Sequence, residues 1–106
     1  MILPSGVPMK ERDVIRQLLD YLAARRRFAI RLNTGSFYEA GRAFRAHNLG
    51  PGVADILVPA PGSVWIEAKA PEGRLRPSQV LFESRVTEAG FKYVVARSID
   101  DLAGVV

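Results

Sequence analysis

Three charged side chains lie in two short apolar segments that otherwise have the character of buried strands. Residues 52–58 contain Asp55, and residues 64–69 contain Glu67 and Lys69. Both segments are rich in β-branched residues and bounded by Gly and Pro, a pattern typical of strands. Burying a carboxylate or an ammonium group is costly unless the charge is paired or bound to a metal. These three residues are therefore the first candidates for chemistry.

The spacing of these charges suggests how they would be arranged. Side chains two apart in a strand share a face, so Glu67 and Lys69 would point the same way as Trp65. If the strand with Asp55 lies nearby, its carboxylate and that of Glu67 would repel each other unless a cation lay between them. We therefore expect Asp55 and Glu67 to hold a divalent metal, with Lys69 beside it. The alternative is a salt-bridged cluster on an exposed sheet face.

Two predicted helices each carry a polar residue at the head of an apolar stripe. In the helix predicted over residues 9–27, the stripe that begins at Ile15 reaches Glu11 one turn earlier. Glu11 either favours the positive helix N-terminus or points into the site with Asp55 and Glu67. A second helix is predicted to start at Pro77, which suits a first helical position. Its Gln79 is either an ordinary first-turn residue or a hydrogen-bonding residue of the site.

The remaining patterns predict the rest of an α/β fold. Residues 28–32 and 92–96 are predicted as strands, residues 98–102 as a short terminal helix, and residues 36–51 as largely loop. The order is thus helix, three strands, helix, strand and short helix. This order predicts a mixed central sheet of about four strands flanked by helices. At 106 residues the chain should form a single domain, residues 1–106.

The charged positions resemble a known signature. The signature of the PD-(D/E)XK nuclease superfamily is similar to the pattern here, in which Asp55 is followed by a variable gap and then by Glu67-x-Lys69. The wider pattern resembles the VRR-NUC family, the virus-type replication-repair nucleases, from about Glu11 to Asp101. It includes the glycine ahead of Asp55, the Gly-Arg-Leu of residues 73–75, Gln79, the segment with Arg31, Asn33 and Gly35, and the C-terminal run from Gly90 to Asp101. Ala54 departs from it, since the family usually has Pro there.

The resemblance implies a restriction-endonuclease-like core and a metal-dependent DNA endonuclease. The enzyme would hydrolyse phosphodiester bonds in branched, flap or junction DNA during replication or repair. Mg²⁺ or Mn²⁺ would be held by Asp55, Glu67 and the carbonyl of Ala68, and Glu11 would orient water or join a second metal site. The implied catalytic set is Glu11, Asp55, Glu67, Lys69 and Gln79, with Lys69 acting on the phosphate or water and Gln79 fixing Lys69 or a water.

The charge balance favours a nucleic-acid partner. The net charge is +4, the isoelectric point is near 10.0, and twelve of the fifteen cations are Arg, the residue best suited to bidentate phosphate contacts. In residues 36–51, basic and aromatic residues alternate, which indicates either a DNA-binding surface or a covered loop with a solvated basic edge. The predicted DNA-binding residues are Arg31, Asn33, Arg42, Arg45, His47, Arg74 and Arg76, with Arg42, Arg45, Arg74 and Arg76 expected in loops near the site.

Composition excludes several other classes. The chain has no Cys and one His, so disulfides, cysteine zinc sites and His-based sites are not expected. No apolar run approaches the length of a membrane span, and Pro4 interrupts any signal-peptide pattern, so we expect an intracellular, cytoplasmic protein. The family resemblance implies that it is encoded by a bacterium or phage. The resemblance also implies a homodimer. The alternatives to a nuclease are a non-catalytic nucleic-acid-binding module and a small interaction protein.

Overall fold

The structure is a computed structural model that describes residues 9–32, 36–39, 42–45, 52–59 and 62–106, with residues 36–39 and 42–45 described as backbone only. Two α-helices, six strands and a terminal 3₁₀-helix are present in these ranges. In chain order they are α1 (Glu11–Ala24), β1 (Ile30–Arg31), β2 (Ser36–Glu39), β3 (Arg42–Arg45), β4 (Ile56–Val58), β5 (Val64–Ala68), α2 (Pro77–Glu88), β6 (Lys92–Ala96) and the 3₁₀-helix (Ile99–Leu102). Among the described helices, none is long and apolar enough to cross a membrane.

Four strands form a mixed sheet in the order β1-β4-β5-β6. β1 pairs antiparallel with β4, β4 pairs antiparallel with β5, and β6 runs parallel to β5. The connection from β5 to β6 passes through α2, as a parallel pair requires. The predicted α/β layout and the four-stranded mixed sheet are therefore confirmed.

The interpretation of residues 36–51 as largely loop is wrong for part of this segment. β2 and β3 form an antiparallel hairpin in which Ser36 is opposite Arg45 and Glu39 is opposite Arg42. Arg42 and Arg45 therefore lie in a strand and not in a loop. The aromatic residues in this segment favour strands, and this β-propensity was outweighed in the prediction by the number of polar residues.

One face of the sheet is covered by α1 and is entirely apolar in its core. Asp13 helps to start this helix, because its Oδ2 accepts the Lys10 backbone N–H at 2.9 Å. The helix is shorter than the predicted 9–27, since it ends at Ala24 and Arg26 adopts a left-handed φ of 58°. The residues buried between helix and sheet are Val14, Ile15, Leu18 and Leu22 from α1 and Ile56, Val58, Val64, Ile66 and Ala68 from the strands.

The other face of the sheet lies against α2. Phe82 of this helix makes an edge contact with Trp65, with ring centroids 5.3 Å apart, and a tilted contact with Tyr93 at 6.3 Å. Trp65 and Tyr93 are opposite each other in the β5–β6 register, as are Glu67 and Val95. The predicted alternation in β5 is therefore confirmed, since Trp65 and Glu67 lie on the α2 face.

The approach to β4 differs from the prediction of a strand over residues 52–58. Only Ile56–Val58 are in the strand, and Asp55 lies in a bend just before it. Gly52 has a φ of 83°, and a Cβ added there would collide with the carbonyl of Ser78 in the first turn of α2. Glycine is therefore required at this position, and its close approach brings the Asp55 bend beside the start of α2.

The C-terminus forms a single turn of 3₁₀-helix where a short helix was expected. Ser98 precedes this turn but makes no side-chain capping bond. Asp101 instead accepts the backbone N–H of Arg97 at 2.8 Å, which ties the turn to the end of β6. Leu102 is completely buried in the core under α1.

Candidate functional site

The end of β5 holds two ionisable side chains in an almost completely buried position. Glu67 is 1% exposed and Lys69, immediately after the strand, is 7% exposed. β5 is an interior strand with β4 on one side and β6 on the other, so both of its edges are paired. The Lys69 backbone N–H extends the pairing with β6 by donating to the Ala96 carbonyl at 3.0 Å. A rigid strand pair therefore fixes the backbone of both charged residues.

Asp55 is held next to this position by backbone groups. Its Oδ2 accepts the N–H of Ala68 at 2.8 Å, and its own carbonyl accepts the N–H of Leu32 at 2.6 Å. The carboxylate therefore crosses from the bend before β4 to the end of β5. There it lies beside Glu67, as the sequence predicted.

Burial and the neighbouring carboxyl group of Asp55 strongly perturb the pKa of Glu67. Burial is the main cause that raises its pKa from 4.5 to about 9, followed by the charge of Asp55 and a shared hydrogen bond with it. Glu11 adds to the rise, and Lys69 offsets only part of it. One carboxyl oxygen of Glu67, Oε1, is buried with no hydrogen-bond donor among the described residues. At neutral pH and without a cation, Glu67 therefore holds a proton.

Gln79 connects the start of α2 to Glu67. Its Oε1 accepts the backbone N–H of Arg76 at 2.8 Å, and its Nε2 donates to Glu67 Oε2 at 3.2 Å. The side chain is 4% exposed. The same amide therefore caps the helix and bonds the carboxyl group of Glu67, whereas the prediction had it fix Lys69 or a water.

Glu11 reaches the site through Lys69. The Lys69 ammonium lies 3.5 Å from Glu11 Oε1, and the Glu11 side chain is half exposed. The ion pair joins the first residue of α1 to the end of β5. The structure thus brings together all five residues of the predicted catalytic set, but Glu11 contacts the Lys69 ammonium and not the carboxyl groups of Asp55 and Glu67.

The donor set bears on whether a metal fits here. Among the described residues, no group of three or more His, Asp or Glu side chains is arranged to hold a metal ion. Two carboxyl groups do converge, and Glu67 has a free buried oxygen. Mg²⁺ commonly takes only one or two protein carboxylates and completes its shell with water and substrate phosphate, so Asp55 and Glu67 fit such a site. The role of the Ala68 carbonyl as a third ligand stays a prediction.

The predicted DNA-binding residues fall in different places. Arg74 and Arg76 are exposed on the segment that follows Lys69, as predicted, and Arg74 lines an open cavity of about 400 Å³ with Pro71, Glu72, Gly73 and Arg97. Arg31 is exposed on β1 and lines another cavity, of about 330 Å³, beside Arg12 and Arg16 of α1. Asn33 and His47 lie outside the described residues, and the side chains of Arg42 and Arg45 are not described.

Two further residues next to the site received no role from the sequence. The hydroxyl of Tyr93 is buried without a partner in the described structure, on the same sheet face as Glu67. Burial raises the pKa of Tyr93, and the nearby charges of Glu67, Glu83 and Asp55 add to the rise. Arg97 donates from Nη2 to the Gly73 carbonyl at 2.8 Å. The parallel register with β5 would have revealed Tyr93, whereas the bond of Arg97 spans 24 residues and left no local signal.

Comparisons with known proteins do not assign the site. No family model matches the chain, and a search of curated proteins finds no match. The functional interpretation therefore depends on the geometry of the carboxyl pair Asp55 and Glu67 and on the chemistry that such a pair can perform.

Proposed function

We propose that the protein is a metal-dependent DNA nuclease with a PD-(D/E)XK-type core, resembling the VRR-NUC family. The observation that supports this most is the pairing of the buried Glu67 with the partly buried Asp55 at the end of an interior strand, beside Lys69. Burial, followed by repulsion from Asp55, raises the pKa of Glu67 to about 9, and Glu67 Oε1 has no hydrogen-bond partner among the described residues. A divalent cation would relieve both features, because it neutralises the repulsion and takes the free oxygen.

A purely structural ion-pair cluster accounts less well for these features. In such a cluster the buried carboxylate would be matched by its own cation, which would keep it ionised and its pKa low. Here the only cation beside Glu67 in the described structure, Lys69, is shared with Glu11 and lowers the pKa of Glu67 only in part. The arrangement therefore sacrifices stability at this position, as functional sites often do.

The residues around the pair would each contribute to phosphodiester hydrolysis. When bound, Mg²⁺ or Mn²⁺ would lower the pKa of a water and polarise the phosphate. Lys69 would place a positive charge near the negative charge that develops on the phosphate. Gln79 would keep the Glu67 carboxyl group oriented, and Glu11 would hold the Lys69 ammonium in place or bind the attacking water.

The substrate side of the proposal uses the segment between β5 and α2. Arg74 and Arg76 are exposed there, a few residues after Lys69. Their guanidinium groups suit the phosphate backbone next to the scissile bond. The preference for branched, flap or junction DNA and the homodimeric assembly follow from the family resemblance. Sedimentation velocity at micromolar concentration tests the assembly, and a monomer with full cleavage activity would contradict it.

A second candidate function is a DNA-binding module without catalysis. It is favoured by one observation: Glu11 pairs with Lys69, and among the described residues no group of three acidic side chains converges to hold a metal. This module would bind DNA in a salt-sensitive way but would cleave none. The difference between the two functions is therefore measurable in a single assay.

The test is single-turnover cleavage of linear, flap and four-way-junction DNA with Mg²⁺ or Mn²⁺ and saturating protein. The wild type should cleave at least one substrate, and Asp55→Asn and Glu67→Gln should each slow cleavage roughly a thousandfold or more. DNA binding should be retained in both variants. Glu88→Gln, which changes an exposed carboxylate at the end of α2, is the matched control. Cleavage by both site variants at the wild-type rate would refute the proposal.

A further inference from the structure

A tight turn lies directly over the side chain of Lys69. The Gly73 N–H donates to the Ala70 carbonyl at 2.9 Å, which closes the turn immediately after β5. A Cβ added at Gly73 would lie 3.3 Å from Lys69 Cδ and 3.3 Å from the Ala70 oxygen. The backbone at Gly73 therefore packs closely against the aliphatic stem of Lys69, and a side chain there would press on that stem.

This turn is held from outside by Arg97. The Arg97 Nη2 donates to the Gly73 carbonyl at 2.8 Å, in a partly buried bond that joins positions 24 residues apart. A bond with a charged donor is stronger than one between neutral groups. Arg97 is itself well anchored, because its backbone N–H is bonded to Asp101 and it directly follows Ala96, whose carbonyl accepts the Lys69 N–H.

We infer that Arg97 is a positioning residue for Lys69. Its guanidinium group ties the turn of residues 70–73 against the Lys69 stem, and the turn restricts the side chain so that the ammonium stays beside Glu11. In this arrangement Arg97 acts through Gly73 and has no contact with the substrate. The catalytic consequence rests on the proposed nuclease function, whereas the tether itself can be tested without any catalytic activity.

A direct phosphate contact is the competing explanation for Arg97. Its side chain also lines the open cavity of about 400 Å³ beside Arg74, where a DNA phosphate could lie. Removing a phosphate contact would weaken DNA binding and leave the intrinsic cleavage rate nearly unchanged. Removing the tether would slow cleavage and leave DNA binding nearly unchanged, so the two explanations make opposite predictions.

The tether is tested by the reactivity of lysine amines. The chain has three lysines, and the structure exposes Lys10 and Lys92 but buries Lys69. Acetic anhydride labelling followed by peptide mass spectrometry compares all three within one sample. In Arg97→Ala, labelling of Lys69 should rise at least about tenfold relative to Lys10 and Lys92, the order of effect for losing one charged hydrogen bond.

Two control variants separate the tether from other effects. Arg85→Ala removes an exposed Arg from the last turn of α2 and should leave Lys69 protected. Val86→Ala removes buried volume from the same helix, so it shows how much global destabilisation alone exposes Lys69. The inference would be overturned if Lys69 were labelled equally in Arg97→Ala and in the wild type. It would also be overturned if Lys69 were labelled equally in Arg97→Ala and in an equally destabilised Val86→Ala.

Single-turnover cleavage and DNA affinity complete the test. In Arg97→Ala the maximal cleavage rate should fall about tenfold or more while the dissociation constant for DNA stays within about twofold of the wild type. A weaker affinity with an unchanged rate would overturn the inference in favour of a phosphate contact. If the wild type cleaves no DNA, the nuclease proposal fails, and the labelling result alone then decides whether Arg97 tethers the turn.

Discussion

The two faces of β5 lie under two helices but have opposite chemical characters. On the α1 face, Ile66 and Ala68 are completely buried among aliphatic side chains. On the α2 face, the equally buried Glu67 has a strongly raised pKa, and its Oε1 has no hydrogen-bond partner in the described part of the chain. Adjacent residues of one strand therefore serve different purposes. The α1 face stabilises the fold, and the α2 face keeps a polar arrangement that a fold selected for stability alone would not contain.

The largest expected effect tests the α1 face. Leu18 is completely buried in the core, so Leu18→Ala should lower the free energy of unfolding by about 2–5 kcal/mol. Chemical denaturation of wild type and variant, without divalent metal, measures this change. Glu67→Gln, at an equally buried position on the opposite face, should cost nothing or increase stability, because an amide can still accept from Gln79 and can donate to Asp55. Similar losses in both variants would remove the contrast between the faces.

The next effect concerns the glycine that brings the Asp55 bend to α2. Gly52→Ala combines a left-handed φ of 83° with a collision at the Ser78 carbonyl. Gly90→Ala shares the left-handed φ, at 88°, but meets no described atom within 4 Å. Gly90→Ala, the control, should lose about 1–2 kcal/mol of stability from backbone strain alone, and Gly52→Ala should lose clearly more. Denaturant midpoints measure both, and equal losses would show that the close approach to α2 is unimportant.

The third prediction uses the titration of Glu67 in the metal-free protein. The folded protein holds this proton up to about pH 9, whereas the unfolded chain releases it near 4.5. The stability that the folded protein gains by binding this proton is therefore fully present below pH 4.5 and is lost as the pH rises towards 9. Stability should fall with a slope of at most about 1.4 kcal/mol per pH unit in this window. Urea denaturation across the window, with a chelator present, should show a flatter profile for Glu67→Gln; identical profiles would contradict the assignment.

The smallest effect concerns DNA binding by the segment after Lys69. Arg74→Ala and Arg76→Ala should each reduce the slope of log affinity against log salt concentration by about 0.9, the value for one phosphate contact with duplex DNA. Arg85→Ala, on the exposed end of α2, is the control with an unchanged slope. Fluorescence anisotropy with labelled duplex DNA measures all three. Unchanged slopes in both site variants would place the DNA contacts elsewhere.

The sequence predicted the arrangement along β5 because strand periodicity is local. This periodicity predicted the shared face of Trp65 and Glu67. The start of α2 at Pro77 was predicted from the preference of Pro for the first helical position. The end of α1 was missed, because the left-handed backbone at Arg26 leaves no clear signal in a run of three Arg. The hairpin of β2 and β3 was missed because each strand has two adjacent apolar or aromatic residues between polar ones, so neither shows the alternation typical of a strand.

The candidate site was predicted as a set of residues but not as a network of contacts. The sequence could group Asp55, Glu67 and Gln79, yet the double hydrogen bond of Gln79 depends on how α2 docks on the sheet. The pairing of Glu11 with Lys69 depends on where α1 starts relative to the end of β5. Such contacts arise from tertiary packing between distant elements, which local propensity does not encode.

The central claim is that the carboxyl pair of the α2 face is a divalent cation site. Calorimetric titration of Mn²⁺ at pH 7, repeated in buffers of different ionisation enthalpy, measures both affinity and proton release. Because Glu67 is protonated without metal, wild type should bind Mn²⁺ with release of about one proton. Asp55→Asn and Glu67→Gln should lose this binding, and Glu88→Gln should retain it. Mn²⁺ binding of wild-type strength in both site variants, or none in the wild type, would contradict the claim.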